Sequence, residues 1–475
     1  MVEVERKMDI LELTIKYVFY LCNSKKYNTQ MLALREMFNT NSIEELKVII
    51  DVDVNEFILK NKLIITKDFV LKSDSFTPRN MLLISPLYYL YYSKLVFEIA
   101  YGYRNAINEV DFSNENMDIF YSGNLVFTNR KQLIKENSTF NKSYNKFRYK
   151  RQQYLEKYVL KIDLKDFFNT IDVEILLKKL RGHSNRNNLV DTLEIFLDYC
   201  QIRSLPQFHN SIASSLLSQI YLREFDEKCN EYLKSYNINL IRFVDDMYLV
   251  KLNGEFRENE KNEILDTLAT FLWRDNLILN MQKTCLLTPE DNERDHLIEE
   301  ISIDDIQLYR NETKIKNKAK SVIDSNDFLD FILTLQSISI SKGIDFQEYT
   351  RLINEKIAIN NEDSTKVLNL IIYRGYWKRL GKKSLKSIIR NWKFIFFNPA
   401  QFTVLFIMIN NYLYGKNSRK MRRLINFLYK KEIMKYRESL VSVICILQNQ
   451  NNVQELIDKM SYINADYVLF MNTYI

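Results

Sequence analysis

Glycine occurs only 8 times and proline 5 times in 475 residues. At ordinary usage, roughly thirty glycines and twenty prolines would stand in a chain of this length. Sandwiches and barrels need glycine at many tight turns, so this scarcity argues against them and for a helix-rich chain. Dinucleotide and phosphate-loop enzymes are excluded as well, because no G-x-G-x-x-G and no G-x-x-x-x-G-K stretch occurs. The length allows two or three domains, and 46% apolar residues with 30 Tyr and 29 Phe can fill large cores.

Five scattered cysteines without a C-x-x-C pair read as reduced thiols rather than a disulfide framework or zinc site. The three histidines, His183, His209 and His296, lie too far apart in sequence to suggest a metal site. Met1 to Lys7 runs into a charged amphipathic segment, and Asn398-Pro399 and Gln401 interrupt the most apolar stretch, 394–408. A soluble, cytoplasmic protein without membrane association is therefore expected.

Charge is uneven. Residues 301–475 hold 27 basic and 16 acidic residues, and 371–440 hold 17 basic against 2 acidic. Two helical patterns lie within that stretch. Leu385, Ile388, Ile389, Trp392 and Phe396 are flanked by Lys382, Lys386, Arg390 and Lys393. Met421, Leu424, Ile425 and Leu428 are flanked by Arg419, Lys420, Arg422 and Arg423. Amphipathic helices with basic outer faces suit nucleic acid. The pattern predicts an all-α region from 301 to the end.

The chemistry concentrates in 155–290. Tyr158 to Leu164 reads as a buried strand carrying Asp163 near its end, followed by an amphipathic helix over 165–172. Leu240 to Val250 places Asp245-Asp246 between two short apolar runs, which predicts a β-hairpin with both acids at its tip. Adjacent carboxylates there are costly without a cation. Oxygen ligands without His or Cys select Mg²⁺ or Mn²⁺, and acids from two strand ends can build a two-metal phosphoryl-transfer site. Two further segments follow the same order. Leu205-Pro206-Gln207 precedes a helix over 212–222 with a small-residue face, open to a base pair or nucleotide. Leu277 to Thr284 reads as a strand delivering Lys283, which can neutralise or protonate departing pyrophosphate.

Asp163-Leu164-Lys165-Asp166-Phe167-Phe168, Leu205-Pro206-Gln207 with its helix, Phe243-Val244-Asp245-Asp246 and Leu279-Asn280-x-x-Lys283-Thr284 resemble reverse-transcriptase motifs A, B, C and D. The resemblance implies an α+β right-hand polymerase with fingers and palm over 1–300, its motifs at 158–172, 205–222, 240–250 and 277–284. An all-α domain over 301–475 would replace the usual thumb. It makes Asp163, Asp245 and Asp246 metal-binding catalytic carboxylates and Lys283 a catalytic lysine. Leu164, Phe168 and Gln207 become substrate contacts, Phe168 as a gate against a ribose 2′-OH with a core phenylalanine as the competing reading. Among the upstream basic residues Lys142, Lys146, Arg148, Lys150 and Arg151, Arg148 and Arg151 are the expected triphosphate contacts.

Motif B departs from the family, which has glycine after Gln and a Ser-Pro pair where Phe208 and Ser214-Ser215 stand here. The missing glycine argues against ordinary processive copying. A lone palm with a basic helical C-terminus is similar to the bacterial defence-associated reverse transcriptases, above all the abortive-infection polymerases of the AbiA and AbiK type. That resemblance implies HEAT-like helical repeats, a homo-oligomer, and DNA synthesis without a template, primed from a protein side chain, in antiphage defence. An RNA-templated enzyme using a dedicated non-coding RNA is the alternative, and an inactive nucleic-acid-binding scaffold the third reading. Tyr17, Tyr20 and Tyr27 are among many candidate priming hydroxyls.

Overall fold

The computed structural model describes residues 9–24, 29–72, 77–183, 187–302, 311–341, 343–359, 364–416, 418–448 and 453–475. Met1 to Lys7 and Tyr27, on which two of the expectations above fall, lie outside the described residues. The chain is helix-rich α+β and divides into two compact units. The first comprises Met1–Asp68, Met81–Leu297 and Phe470–Ile475; the second comprises Phe69–Asn80 and Ile298–Leu469.

Two sheets form in the first unit. β1 (Ile65–Lys67) and β2 (Leu82–Ile84) make an antiparallel pair. The larger sheet contains β3 (Met117–Phe120), β4 (Val159–Ile162), β5 (Ile238–Phe243), β6 (Asp246–Lys251) and β7 (Cys285–Leu287), in the order β3-β5-β6-β4-β7. β3 runs parallel to β5 and every other pairing is antiparallel. The central strands are short runs of β-branched, leucine and aromatic residues, nearly all buried, as strands covered on both faces require.

The Ile212–Lys234 helix packs on β5 and on the Pro86–Ala100 helix. The latter, PLYYLYYSKLVFEIA, is apolar all round and almost wholly buried. Its tyrosines bury their rings and spend their hydroxyls on other elements: Tyr88 donates to Asn61 O, Tyr89 to His209 O and Tyr91 to Val52 O, while Tyr92 bonds Ser214. Tyrosine serves here as a core residue whose polar end still finds a partner.

Turns without glycine are solved by asparagine. Asn108, Asn210, Asn237, Asn276 and Asn326 take positive φ, as do Asp166, Gln201 and Val244. Asn and Asp tolerate the left-handed region better than other side chains because their short polar groups bond locally. At Gly123 a side chain would be strained and would force Ile212 to shift. Its φ is +123°, and a Cβ there would lie 2.8 Å from Ile212 Cγ1, where the 121–124 segment docks on the start of the Ile212–Lys234 helix.

In the second unit the described residues of 311–469 contain helices and no strand. The Arg419–Tyr429 helix buries Met421, Leu424, Ile425 and Leu428, as its periodicity predicts. The helix expected across 382–396 is shorter. Lys382–Ile388 is helical, the chain turns at Ile389, and Lys393–Phe397 forms a 3-10 turn whose phenylalanines enter the core. The apolar 394–408 block is likewise core, with Pro399 opening the Pro399–Tyr414 helix. No helix among the described residues is long and apolar enough to cross a membrane.

Gly123→Ala is expected to destabilise the protein by about 1–3 kcal/mol through strain at positive φ. Asn237→Gly, at a left-handed position open to glycine, should change stability by less than about 0.5 kcal/mol. Chemical denaturation of both variants checks the pair.

Candidate active site

Asp163 follows directly on β4 and is 6% exposed. Antiparallel to it runs the 278–280 segment: Leu164 bridges Leu279, Lys165 N donates to Ile278 O at 2.9 Å, and Asn280 N donates to Asp163 O at 2.8 Å. Both carboxylate oxygens of Asp163 are engaged from this segment. Asn280 Nδ2 donates to Oδ2 at 2.8 Å, and Lys283 Nζ lies 3.2 Å from Oδ1. The expected strand over 277–284 is therefore corrected to a single bridge and a tight turn. In that turn Lys283 N and Thr284 N both donate to Asn280 O, and the strand itself is β7. The turn puts two nitrogen donors on one carboxylate, which a straight strand with alternating side chains could not do.

β5 and β6 form the expected hairpin, closed by the two-residue loop Val244-Asp245 with Phe243 opposite Asp246. Val244 has φ +55°, an outlier for a β-branched residue that costs about 1–3 kcal/mol, and its N–H donates to Phe120 O at 3.0 Å. Burial, and then the charge of Asp163, push the Asp245 carboxyl up to about 6, with Lys283 opposing them. The register that pairs Ile162 with Met247 brings the ends carrying Asp163 and Asp246 side by side.

Among the described residues no three Asp, Glu, His or Cys side chains are gathered into a metal cluster. The donor set of Asp163 and Asp245, with Asp246 next to it, is nonetheless hard oxygen in a setting short of positive charge. Desolvation raises the Asp245 carboxyl most and the Asp163 charge adds to it, while Lys283 and Arg242 offset them only in part. Such a set fits Mg²⁺ or Mn²⁺.

The remaining expected residues divide. Leu164 is buried and its backbone flanks the 278–280 segment. Phe167 fills the core while Phe168, its ring edge-on to Phe167 at 5.4 Å, stays half-buried. Gln207 is half-buried with its carbonyl accepting from Leu82 N. The small-residue face behind it is closed, which corrects the expectation of an open one. Ser214, Ser215 and Ser218 are buried, Ser214 against Tyr92 and Ser215 accepting from Ser122 N.

Arg148 and Arg151 do not form a solvent-facing clamp. Arg151 is 2% exposed, lies 3.0 Å from Asp295 and stacks 3.6 Å above the Tyr248 ring; Arg148 is buried too. Lys142, Lys146 and Lys150 pair with Glu136, Glu109 and Asp118. Glu136 lies within a turn or two of Lys142, but Glu109, Asp118 and Asp295 stand far from the cations they claim, so local composition could not reveal those pairings.

Two contributions went unread in the sequence. Asn280 bonds Asp163, and its place three residues before Lys283 was the available signal. His209, next but one to Gln207, bonds buried Asp68 at 2.7 Å, a partner 141 residues distant.

Residues 124–322 match the family model for reverse transcriptase (RNA-dependent DNA polymerase), so the chain contains a reverse-transcriptase domain. No curated protein matches the chain. Among solved structures it is similar to a telomerase of Candida albicans in complex with a fragment of telomeric RNA. There the identity is 14% over 64% of this chain and 53% of that one, with a TM-score of 0.23. For the apo telomerase of Candida tropicalis the values are 12%, 69%, 56% and 0.24. The chain spans little more than half the length of these structures, and TM-scores this low do not establish a common overall fold.

Asp245→Asn removes a half-buried, desolvated charge facing Asp163. At pH 7 in the presence of chelator, the variant is expected to be roughly 1–2 kcal/mol more stable than the unsubstituted chain. A lower melting temperature for the variant would contradict the repulsion inferred here.

Proposed function

We propose that the chain is a nucleotidyltransferase that polymerises deoxynucleotides at Asp163, Asp245 and Asp246 with a divalent cation. The observation that carries this reading is the shared charge field of Asp163 and Asp245 at the ends of β4 and of the β5–β6 hairpin, with Lys283 on Asp163. Asp163, Asp245 and Asp246 would hold Mg²⁺ or Mn²⁺. Bound there, the cation supplies acidification of the attacking hydroxyl and charge neutralisation at the phosphates. Lys283 keeps its side chain 66% exposed while tethered to Asp163, which suits it to meet the leaving pyrophosphate and give up a proton. Half-buried Phe168 is available to bar a 2′-OH, and the side chain of Gln207 to contact the incoming nucleotide.

Nucleic acid has a second support. On the Arg419–Tyr429 helix, Arg419, Arg422 and Arg423 are exposed, and none of them, nor Lys420, pairs with a described carboxylate. Unpaired cations on one helix face favour a polyanion. HEAT-like repeats remain part of the proposal for this region.

The resemblance to abortive-infection polymerases extends the reading to a cytoplasmic role in antiphage defence, with protein-primed, template-independent synthesis in a homo-oligomer. The anchored motif B loop supports synthesis without a moving template. Gln207 O accepts from Leu82 N, His209 O accepts from Tyr89 OH, and the His209 ring bonds Asp68. Tyr17 leaves the priming candidates, since its hydroxyl donates to Asn124 O and accepts from Val126 N in the core. RNA-templated synthesis is the second reading. Asn210, with φ +53°, favours it by giving the loop after Gln207 a left-handed residue where no glycine stands.

Incubation with labelled deoxynucleotides and Mg²⁺ tests the proposal. Asp163→Asn and Asp245→Asn should abolish incorporation, and activity in either variant would refute the site. Phe168→Ala should raise ribonucleotide incorporation by roughly tenfold or more. Nuclease-insensitive synthesis with label on the denatured protein supports protein priming; loss after ribonuclease treatment supports the RNA-templated reading. Arg422→Glu with Arg423→Glu should weaken single-stranded DNA binding and lower its salt dependence by roughly two charges, as measured by fluorescence anisotropy at several salt concentrations.

A further inference from the structure

Arg242, the penultimate residue of β5, has no exposed surface. Its guanidinium reaches three acceptors. Nη1 donates to Gln219 Oε1 at 2.6 Å and to Val244 O at 2.7 Å, while Nη2 forms an ion pair with Asp226. Gln219 and Asp226 stand on the Ile212–Lys234 helix and are themselves buried. Among the described residues, Arg242 Nε and Asp226 Oδ1 have no hydrogen-bond partner, so the charges are not fully compensated. An ion pair buried on such terms is poor evidence for stability, and apolar residues of similar volume would commonly serve as well.

What the arginine holds is the turn. Val244 carries φ +55° and immediately precedes Asp245. Its N–H is fixed by Phe120 O and its carbonyl by Arg242. With both peptide groups of a β-branched residue bonded, the left-handed conformation is imposed from outside rather than chosen by the residue. Relaxation of Val244 to negative φ would rotate the following peptide and swing Asp245 away from Asp163.

We propose that Arg242 is the positioning residue of the carboxylate hairpin: braced by Asp226 and Gln219, it clamps the Val244 carbonyl and thereby aims Asp245 at the cation shared with Asp163. This rests on the polymerase reading of the site. A lysine cannot replace it, because a single ammonium on a flexible stem lacks the planar fork that spans three acceptors in fixed directions.

The test is a double-mutant cycle. Arg242→Lys is expected to weaken Mn²⁺ binding, followed by electron paramagnetic resonance, by about tenfold or more. It should lower kcat for deoxynucleotide incorporation at least as much, while KM for the nucleotide stays within about threefold. Glycine adopts φ +55° without steric cost, so in a Val244→Gly background the same substitution should weaken Mn²⁺ binding by less than about threefold. Equal losses in both backgrounds, or a change in KM alone, would overturn the role given to Arg242. Should Arg242→Lys fail to fold, Gln219→Met leaves the ion pair and removes one brace; unaltered Mn²⁺ affinity in that variant also overturns the proposal. Absence of polymerase activity in the unsubstituted chain would refute the polymerase reading by itself, and the Mn²⁺ cycle would still decide whether Arg242 aims Asp245.

Discussion

Two carboxylates held in each other's field impose the constraint on which the site depends. Asp163 follows directly on β4 and Asp245 sits in the two-residue loop of the β5–β6 hairpin; because β4 pairs with β6, the sheet register sets how closely the two approach. Burial, and then repulsion from Asp163, push Asp245 up to about 6 and would favour separation if the backbone could yield. It cannot yield easily. Asp163 is tied by side chain and main chain to Asn280, Lys283 places an ammonium on its free oxygen, and the turn at Val244 is bonded at both ends. The strain at Val244 and the charge of Asp163 and Asp245 thus meet where a cation would relieve the charge, as expected where structure is organised for chemistry.

Glycine scarcity reaches into the same region. Asparagine supplies much of the left-handed backbone among the described residues, and after Gln207 that residue is Asn210, three positions on. The turn after Gln207 thus rests on Asn210 rather than on a glycine. Phe208 packs against Tyr89 and Tyr92, and His209 bonds Asp68. The result is a loop anchored through its carbonyls and one ring.

The parts legible in the sequence were those whose signal is local. Asp163 after a buried apolar run, and Asp245-Asp246 between two of them, could be read because acids are out of place among β-formers unless something answers their charge. Met421, Leu424, Ile425 and Leu428 were legible for the same reason, through helical period alone. Features set by distant partners were not. The cations of 142–151 resembled a clamp, but Glu109, Asp118 and Asp295 claim three of them. The serines of 214–218 suggested an open groove, but Tyr92 and Ser122 lie against them. Periodicity carried a helix through 389–396, where the chain instead turns and drops Phe394 to Phe397 into the core. Nothing local in 69–80 announced that Phe69 would pack on Tyr436 and Tyr467. Arg242 could pass for a stray charge in a strand, because its three acceptors are visible only once the sheet and helix are assembled.

The most direct measurement is the position of Mn²⁺, located by anomalous scattering in crystals grown with a non-hydrolysable deoxynucleotide analogue. The account predicts that Asp163 and Asp245 would both hold the Mn²⁺, with Lys283 released from Asp163 toward the phosphates. Mn²⁺ bound away from these carboxylates, or no metal with Lys283 still on Asp163, would contradict it.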